Sequence, residues 1–457
     1  MLDCASRTCT HHIASQFRSA RHLWAELAAA PDMAIIQGVN NHHKVLGRCL
    51  APALRRALSR SPVVVLTGAR QTGKTTLARD ILGQGRAYVS LDDVEMTDRA
   101  EREPDALLDT ENPLTIDEVQ RSPGLLLAIK RRVDRKREPG QFLLTGSSNL
   151  ALLGRVSESL AGRAVYKMLG PMTCSEKAGR GACGPWSILA ESPKRLRSRH
   201  VRRTDWRDAA LAGGLPPAAL ARDRETRVEW LDGYVRTYLE RDLQMLSTIE
   251  HLADFRRLLR VAALRTGRLT NQSDMARDAG LSQPTAHRYL GLLEASYLLQ
   301  RLPAFAVNRT KRLIKAPRLF LSDTGLACFL AGLHSAGQVA ASDMAGFMLE
   351  NVVLGDLLAW RETLTPAPEV LYWRTTTGKE VDFVIESEGR LTPIEVKAAA
   401  RPRLGDTAGL NAFLDEYPDA AAHGLLIHAG EEFGPMSPRI WAIPLALALG
   451  VAGDTEA

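Results

Sequence analysis

The sequence predicts an α/β chain in three folded parts: a doubly wound parallel sheet, then a helical module with a winged helix-turn-helix, then a small α/β domain. Three observations carry this expectation. Short β-branched runs alternate with helical stretches from Leu50 to about Pro171, which is the rhythm of strands buried on both faces. A helix, a glycine turn and a second helix are spelled out between Asn271 and Leu299. A second strand-rich stretch begins near Ala341. At 457 residues, 45% of them hydrophobic, the chain exceeds one ordinary core and can fill two or three.

The first strand is "PVVVLTG", a β-branched run bounded by turn residues. "AYVSLDD" (residues 87–93), "PLTIDEV" (113–119) and "QFLLTGS" (141–147) are three more of the same kind, with helices between them. Residues 46–172 are assigned to this domain. From 173 to 204 the composition shifts to Gly, Ser and Arg and includes "KRLRSRHVRR" from Lys194. A solvated basic linker explains that shift, and a phosphate-binding arm is the sharper alternative. Residues 205–340 are helical, with "VEWLDGYVRTYLERDL" as a long amphipathic stretch.

Within that region Gly280 sits in the turn, Ser282 caps the second helix and Pro284 lies in its first turn. "QRLPAF…PRLFLSD" follows and supplies the wing. Residues 341–435 give a helix ("FMLENVVLGDLLAW"), the strands "VLYWRT", "EVDFVIE" and "LTPIEVK", a helix near Leu410 and a strand "HGLLIHAG". Residues 436–457 are assigned as a tail, and 1–45 as an extension expected to be disordered.

The formal net charge is +7, which favours acidic partners such as nucleic acid. The six cysteines (Cys4, Cys9, Cys49, Cys174, Cys183, Cys328) make no CxxC pair, so a reducing cytoplasm is the expected location. Cys4 and Cys9 near His11 and His12 match no zinc spacing. No apolar run reaches the roughly eighteen residues of a membrane span. "IWAIPLALALGVAG", from Ile440, is short and contains Pro444, so a terminal strand or packed tail is expected there. No membrane partner is expected.

The chemistry begins at "GARQTGKT", which fits G-x-x-x-x-G-K-[ST] in full. Gly68 and Gly73 let the backbone of Ala69, Arg70, Gln71 and Thr72 curl so that its N–H groups face phosphate oxygens. The positive N-terminus of the following helix, with Lys74, Thr75 and Thr76, completes the cradle. Lys74 would reach the β and γ phosphates of ATP, and Thr75 would hold Mg2+. "LTIDEV" carries Asp117 and Glu118 to a strand end, where Asp117 can organise the metal and Glu118 can polarise the attacking water. Ser147, Ser148 and Asn149 follow "FLLTG" and suit γ-phosphate sensing, although a plain polar turn explains the same letters. Arg163 in "LAGR" could steady charge on the transferring phosphoryl group, in its own subunit or across the interface of a homo-oligomer. A surface arginine explains it too.

Near the C-terminus, Asp382 in "EVDFVIE" and Glu395 and Lys397 in "PIEVKAA" lie on successive expected strands. Strand alternation puts Glu395 and Lys397 on one face. Asp382 and Glu395 could share a second divalent metal while Lys397 activates a water, with Glu350 on the preceding helix completing the site. Charged residues on an edge strand that discourage aggregation give the same pattern. The order of helix, strands and acids resembles the core of the PD-(D/E)xK nuclease-like superfamily.

Taken with "IDEVQ", "LLTGSSN", "GGLP" at Gly213 and "YLERDL" at Tyr238, the chain from about Leu50 to Gly430 resembles the AAA-type ATPases that carry a C-terminal domain of the DUF4143 class. That resemblance implies a P-loop NTPase sheet, a winged-helix module and a nuclease-like end in a cytoplasmic ATP-binding protein. The expected function is an ATP-hydrolysing switch acting on or with nucleic acid. His287 and Arg288 are the expected groove contacts, with Gln283 and Thr285 near the helix start. An ATP-gated divalent-metal endonuclease and a regulatory ATPase whose downstream domains bind only protein are the alternatives.

Overall fold

The computed structural model describes residues 45–110, 113–147, 160–196, 204–239 and 251–452. The N-terminal extension therefore lies outside the described residues, apart from Val45, as do Ser148, Asn149, most of "YLERDL" and residues 197–203 of the basic stretch.

Strand β1 (Val63–Thr67) is buried at all five positions because both faces of its sheet are covered. Val63 and Val65 face one core, packed by Leu126 and Ile129, while Val64 and Leu66 face another with Leu54 and Leu77. Helix α1 (Ala51–Leu58) precedes β1, and a short helix α2 (Lys74–Thr76) follows its loop. The remaining strands are β2 (Ala87–Ser90), β3 (Leu114–Asp117), β4 (Phe142–Gly146) and β5 (Ala164–Met168), with helix α3 (Pro123–Arg135) between β3 and β4. The spatial order is β2-β3-β4-β1-β5, and every pairing is parallel. Since β4 lies between β1 and β3, its end stands between the loop after β1 and the acids after β3. Strand β5, "AVYKM", was not among the four expected strands, and its half-buried edge position explains why its pattern is weak.

The stretch read as a solvated linker is folded in its described part, residues 173–196. Thr173 and Glu176 form a reciprocal cap on helix α4 (Cys174–Lys177), and helix α5 (Trp186–Glu191) buries Trp186 completely. Its gain in burial comes from the C-terminal side of the chain: Asp356 accepts Gly184 N–H at 2.8 Å and Trp186 Nε1–H at 2.7 Å.

Helices α6 (Trp206–Ala212), α7 (Arg224–Gly233), α8 (Leu252–Leu264), α9 (Gln272–Asp278) and α10 (Gln283–Ala295) form the helical module. Asn271 caps α9 and Ser282 caps α10, as the residue types at those positions predict. An antiparallel hairpin follows, β6 (Leu299–Leu302) with β7 (Arg318–Leu321), and a single bridge joins Leu269 to Arg318. The loop between them carries helix α11 (Arg309–Ile314).

Helices α12 (Thr324–Leu330) and α13 (Ala345–Glu362) lead into a six-stranded mixed sheet. Its strands are β8 (Glu369–Arg374), β9 (Glu380–Ser387), β10 (Arg390–Lys397), β11 (Gly424–His428), β12 (Gly434–Ser437) and β13 (Ile440–Pro444), with helix α14 (Ala408–Glu416) on one face. The opposite face, including Phe383, Ile394 and Ile427, shares one continuous core with the helical module. The residues assigned as a tail are part of this sheet: β13 lies between β11 and β12, parallel to β11, so the boundary at 435 is corrected.

Candidate nucleotide site and the C-terminal acid cluster

Beyond Thr67 the backbone enters conformations that glycine alone adopts easily. Gly68 has φ of 145°, and a Cβ there would stand 2.3 Å from the Leu169 carbonyl oxygen. Gly73 has φ of 91° and turns the loop into α2. Lys74 is buried, and its ammonium donates to Gly68 O at 3.0 Å and Ala69 O at 2.9 Å. Burial pulls its pKa down to about 8, against the upward pull of Glu118 and Asp117. Thr72 Oγ1 donates to Ala69 O at 2.8 Å. Gln71 takes a positive φ of 63°, and Thr76 is exposed. A prop from outside the motif supports the loop: Arg48 donates to Thr72 O at 2.5 Å and Gly170 O at 2.7 Å, and pairs with buried Glu176 at 3.1 Å.

The β3 acids meet this loop. Asp117 Oδ2 accepts from Thr75 Oγ1 at 2.7 Å and from Tyr88 OH at 2.7 Å, and its Oδ1 accepts from Thr145. Burial, then the Asp117 hydrogen bond, pushes the Tyr88 phenol above its ordinary range. Glu118 is buried at a φ of 55°, an unusual conformation for a glutamate. Its Oε2 accepts from Gln120 Nε2 and from Ser147 Oγ, the latter at 3.3 Å. A glycine-framed loop, a lysine, a hydroxyl and two acids thus converge at the C-terminal ends of β1, β3 and β4. This donor set fits a nucleotide triphosphate with Mg2+: N–H groups and an ammonium for phosphate oxygens, a hydroxyl and a carboxylate for the metal.

Arg163 is not brought to this loop. It precedes β5, whose first residue Ala164 pairs with Val63 at the opposite end of β1 from Thr67. Five strand residues at roughly 3.3 Å each separate the two ends. The guanidinium instead makes a two-point pair with Asp134, at 2.6 and 2.9 Å.

Among the described residues the helical module makes two hydrogen bonds to the loop and the strand end before it, and a proline lies nearby. Tyr234 OH donates to Arg70 O at 3.4 Å. Tyr297, two residues past the end of α10 and at a φ of 60°, donates to Thr67 Oγ1 at 2.9 Å. Pro216 lies beside Gly73, 3.8 Å from where a Cβ would be. Pro216 is held by the "GGLP" turn, in which Asp323 accepts the N–H groups of Gly214 at 2.6 Å and Leu215 at 3.0 Å. Of the expected groove contacts, Gln283, His287 and Arg288 are exposed on α10 and Thr285 is half-buried. His287 Nδ1 lies 3.0 Å from Gln272 Oε1, and Arg288 stacks 5.3 Å from the Tyr289 ring. The expected wing is docked along one side: Phe305 N–H donates to Tyr372 O at 2.6 Å on β8, and its ring packs against Phe413 and Tyr417.

The C-terminal acids do come together, around a residue that sequence reading missed. Arg318 of β7 pairs with Glu350 on α13 and lies 3.5 Å from Asp382. Lys397 Nζ donates to Glu395 Oε1 at 2.5 Å, as the shared strand face requires. Burial and then repulsion from Asp382 raise both Glu350 and Glu395, the latter to about 8. Burial opposes the charge on Arg318, but Glu350 and Asp382 outweigh it and hold the guanidinium above its ordinary value. Among the described residues no group of three His, Cys, Asp or Glu side chains is arranged to hold a metal ion.

Residues 60–178 match the AAA domain family AAA_14. Residues 203–337 and 345–448 match two domains of unknown function, DUF8612 and DUF4143. Two uncharacterized proteins, of Mycobacterium bovis and Mycobacterium tuberculosis, are each 34% identical over 400 residues, 87% of this chain and 83% of theirs. The chain belongs to this AAA-type P-loop ATPase family. A Walker-type ATPase of Pyrococcus abyssi covers 61% of the chain and 94% of its own, at a TM-score of 0.40 and 15% identity. A RuvB variant of Thermotoga maritima covers 58% and 92%, at 0.24 and 20%. Likeness at that level carries no argument.

For this AAA-type ATPase, the residues missed by sequence reading have a common character. Tyr88, Gln120 and Thr145 hold the acids from neighbouring strands or turns, and Tyr234 and Tyr297 reach the loop from more than 160 positions away. Only Arg318 left a local signal, a charge at an inward position of the strand "RLFL". Among the described residues no helix is long and apolar enough to cross a membrane.

Proposed function

We propose that this P-loop ATPase is a conformational switch in which nucleotide state at the loop resets the helical module, and that the module's target is nucleic acid. The observation that carries the reading is the pair of hydrogen bonds from Tyr234 to Arg70 O in the phosphate loop and from Tyr297 to Thr67 at the end of β1. Tyr297 lies two residues past the end of α10, beyond its C-cap Ser296, so movement of Thr67 is passed through that short turn to the helix that bears Gln283, His287 and Arg288.

Lys74 would leave the Gly68 and Ala69 carbonyls to meet phosphate oxygens, and Ser147, beside Glu118, would be the residue to follow the γ phosphate. Thr75 and Asp117 would hold the magnesium, which would supply charge neutralisation for the phosphates. Glu118 accepts the proton of the attacking water, and to do so its Oε2 is released by Gln120 and Ser147. Arg163 has no route to its own loop, so any part it takes in hydrolysis is across the interface of a homo-oligomer.

Exposed polar and basic groups on a capped helix support nucleic acid as the target. The test is retention on duplex DNA. Retention should weaken steeply with salt, should differ between Mg-ATP and nucleotide-free protein, and should lose that difference in Lys74→Ala. Absence of DNA retention would sink the nucleic-acid part, whereas Mg-ATP binding unaffected by Lys74→Ala would sink the nucleotide part.

A second reading makes the target a protein. It is favoured by Val307, Leu313 and Ile314, which are 73%, 85% and 81% exposed on one loop. Under that reading ATP turnover responds to a protein partner, and DNA leaves it unchanged.

A further inference from the structure

The acids Glu350, Asp382 and Glu395 follow the order expected of a divalent-metal nuclease site, but their oxygens do not fit one. We propose that this cluster is a socket for the Arg318 guanidinium, which clamps the hairpin of the helical module onto the C-terminal domain and takes the place a metal would need.

Three of the six carboxylate oxygens accept a hydrogen bond, and a fourth faces the guanidinium. Glu350 Oε2 is paired with Arg318. Asp382 Oδ1 faces the same guanidinium at 3.5 Å, and its Oδ2 accepts Val396 N–H at 2.9 Å. Glu395 Oε1 accepts from Lys397. Glu395 Oε2 is the buried oxygen of the cluster without a hydrogen-bond partner. A magnesium or manganese ion asks for about six oxygens, several of them from carboxylates turned toward one point. Three carboxylates here already face two cations, Arg318 and Lys397, leaving a formal charge of −1. A divalent ion would enter against a buried guanidinium that cannot give up its proton.

The rest of the pocket is shaped for that guanidinium. Arg318 is 9% exposed, and its Nε donates to Gly267 O at 2.6 Å. Its planar head lies 5.3 Å from the Phe320 ring and 6.0 Å from the Phe347 ring, an aromatic setting suited to an arginine and of no use to a hydrated metal. Two further ties run from the same hairpin to the same sheet. Ala304 bridges to Tyr372 on β8, and Arg312 pairs with Glu369 at 2.9 Å and Glu386 at 2.5 Å. The acid cluster is therefore one of three fastenings between hairpin and sheet. Arg318 lies 64 positions before Asp382, so no short motif could show that the acids have a resident cation.

The test is Mn2+ binding to the full chain, stripped with EDTA and free of nucleotide, followed by paramagnetic resonance. Wild type and Asp382→Asn should bind the same number of ions, any remainder belonging to the P-loop. Arg318→Met should gain an Mn2+ that Arg318→Met with Asp382→Asn lacks. An Mn2+ bound by wild type and lost in Asp382→Asn overturns the proposal. Should Arg318→Met fold poorly, the comparison of wild type with Asp382→Asn still decides. Thermal melting adds a second readout: Arg318→Met should melt several degrees lower, and adding Glu350→Gln should restore part of the loss. An Arg318→Met protein that melts like wild type and gains no Mn2+ also overturns it.

Discussion

Lys74 shows how one side chain carries both a structural and a chemical demand. Its buried ammonium titrates near 8, below the ordinary lysine value, chiefly through burial. ATP favours the charged form, so bound nucleotide should raise that pKa, and binding near pH 8 should take up protons. Titration calorimetry in two buffers of different ionisation heat checks this, and affinity should fall as pH rises through about 8. Asp356 gives the opposite kind of prediction. It is buried with one oxygen unpartnered, and burial raises its pKa to about 7. A carboxyl raised in the folded state contributes stability at low pH that is lost as pH climbs through the folded value. Asp356→Asn should flatten that loss between about pH 4 and pH 7, as read from urea midpoints. At this scale the sequence was legible where a motif is continuous: Gly68 to Thr75, Asp117 and Glu118 converge as their types and spacing imply. It was not legible where a partner comes from far away, as with Tyr88 on Asp117 or Arg318 on Glu350.

Among the elements, α10 is defined at both ends by its residues. Ser282 Oγ accepts Thr285 N–H at 3.3 Å, and Ser282→Ala should cost about 1 kcal/mol by chemical unfolding. At the other end Tyr297 leaves the helix with positive φ and reaches Thr67. Tyr297→Phe removes one hydrogen bond, worth about 1 kcal/mol, and should shrink the nucleotide-dependent change in DNA retention. An unchanged nucleotide response would remove Tyr297 from the coupling. Periodicity found α10, its cap and its turn because those signals are local. Strand β5 and the integration of β13 escaped it, since an edge strand of half-buried residues and a short terminal run look alike until their neighbours are known. The stretch from 173 to 196 escaped for a related reason: Trp186 is buried by a helix some 170 positions later.

At the scale of the whole molecule, the phosphate loop and the acid cluster are linked through the helical module. The helical module touches the loop through Tyr297 and the C-terminal sheet through Arg318, and it shares a single core with that sheet. The fold class, a parallel P-loop NTPase sheet with a second strand-rich part towards the C-terminus, was readable from composition and pattern. The shared core was not, because a hydrophobic period reports that a face is buried without naming what buries it. On the proposed function, nucleotide state is transmitted to the module's grip on nucleic acid. The most direct test is duplex DNA affinity at fixed salt, measured for wild type and Lys74→Ala, with and without Mg-ATP. The account predicts an affinity that changes at least several-fold with Mg-ATP in wild type and does not change in Lys74→Ala. Equal DNA affinity in all four measurements would contradict it.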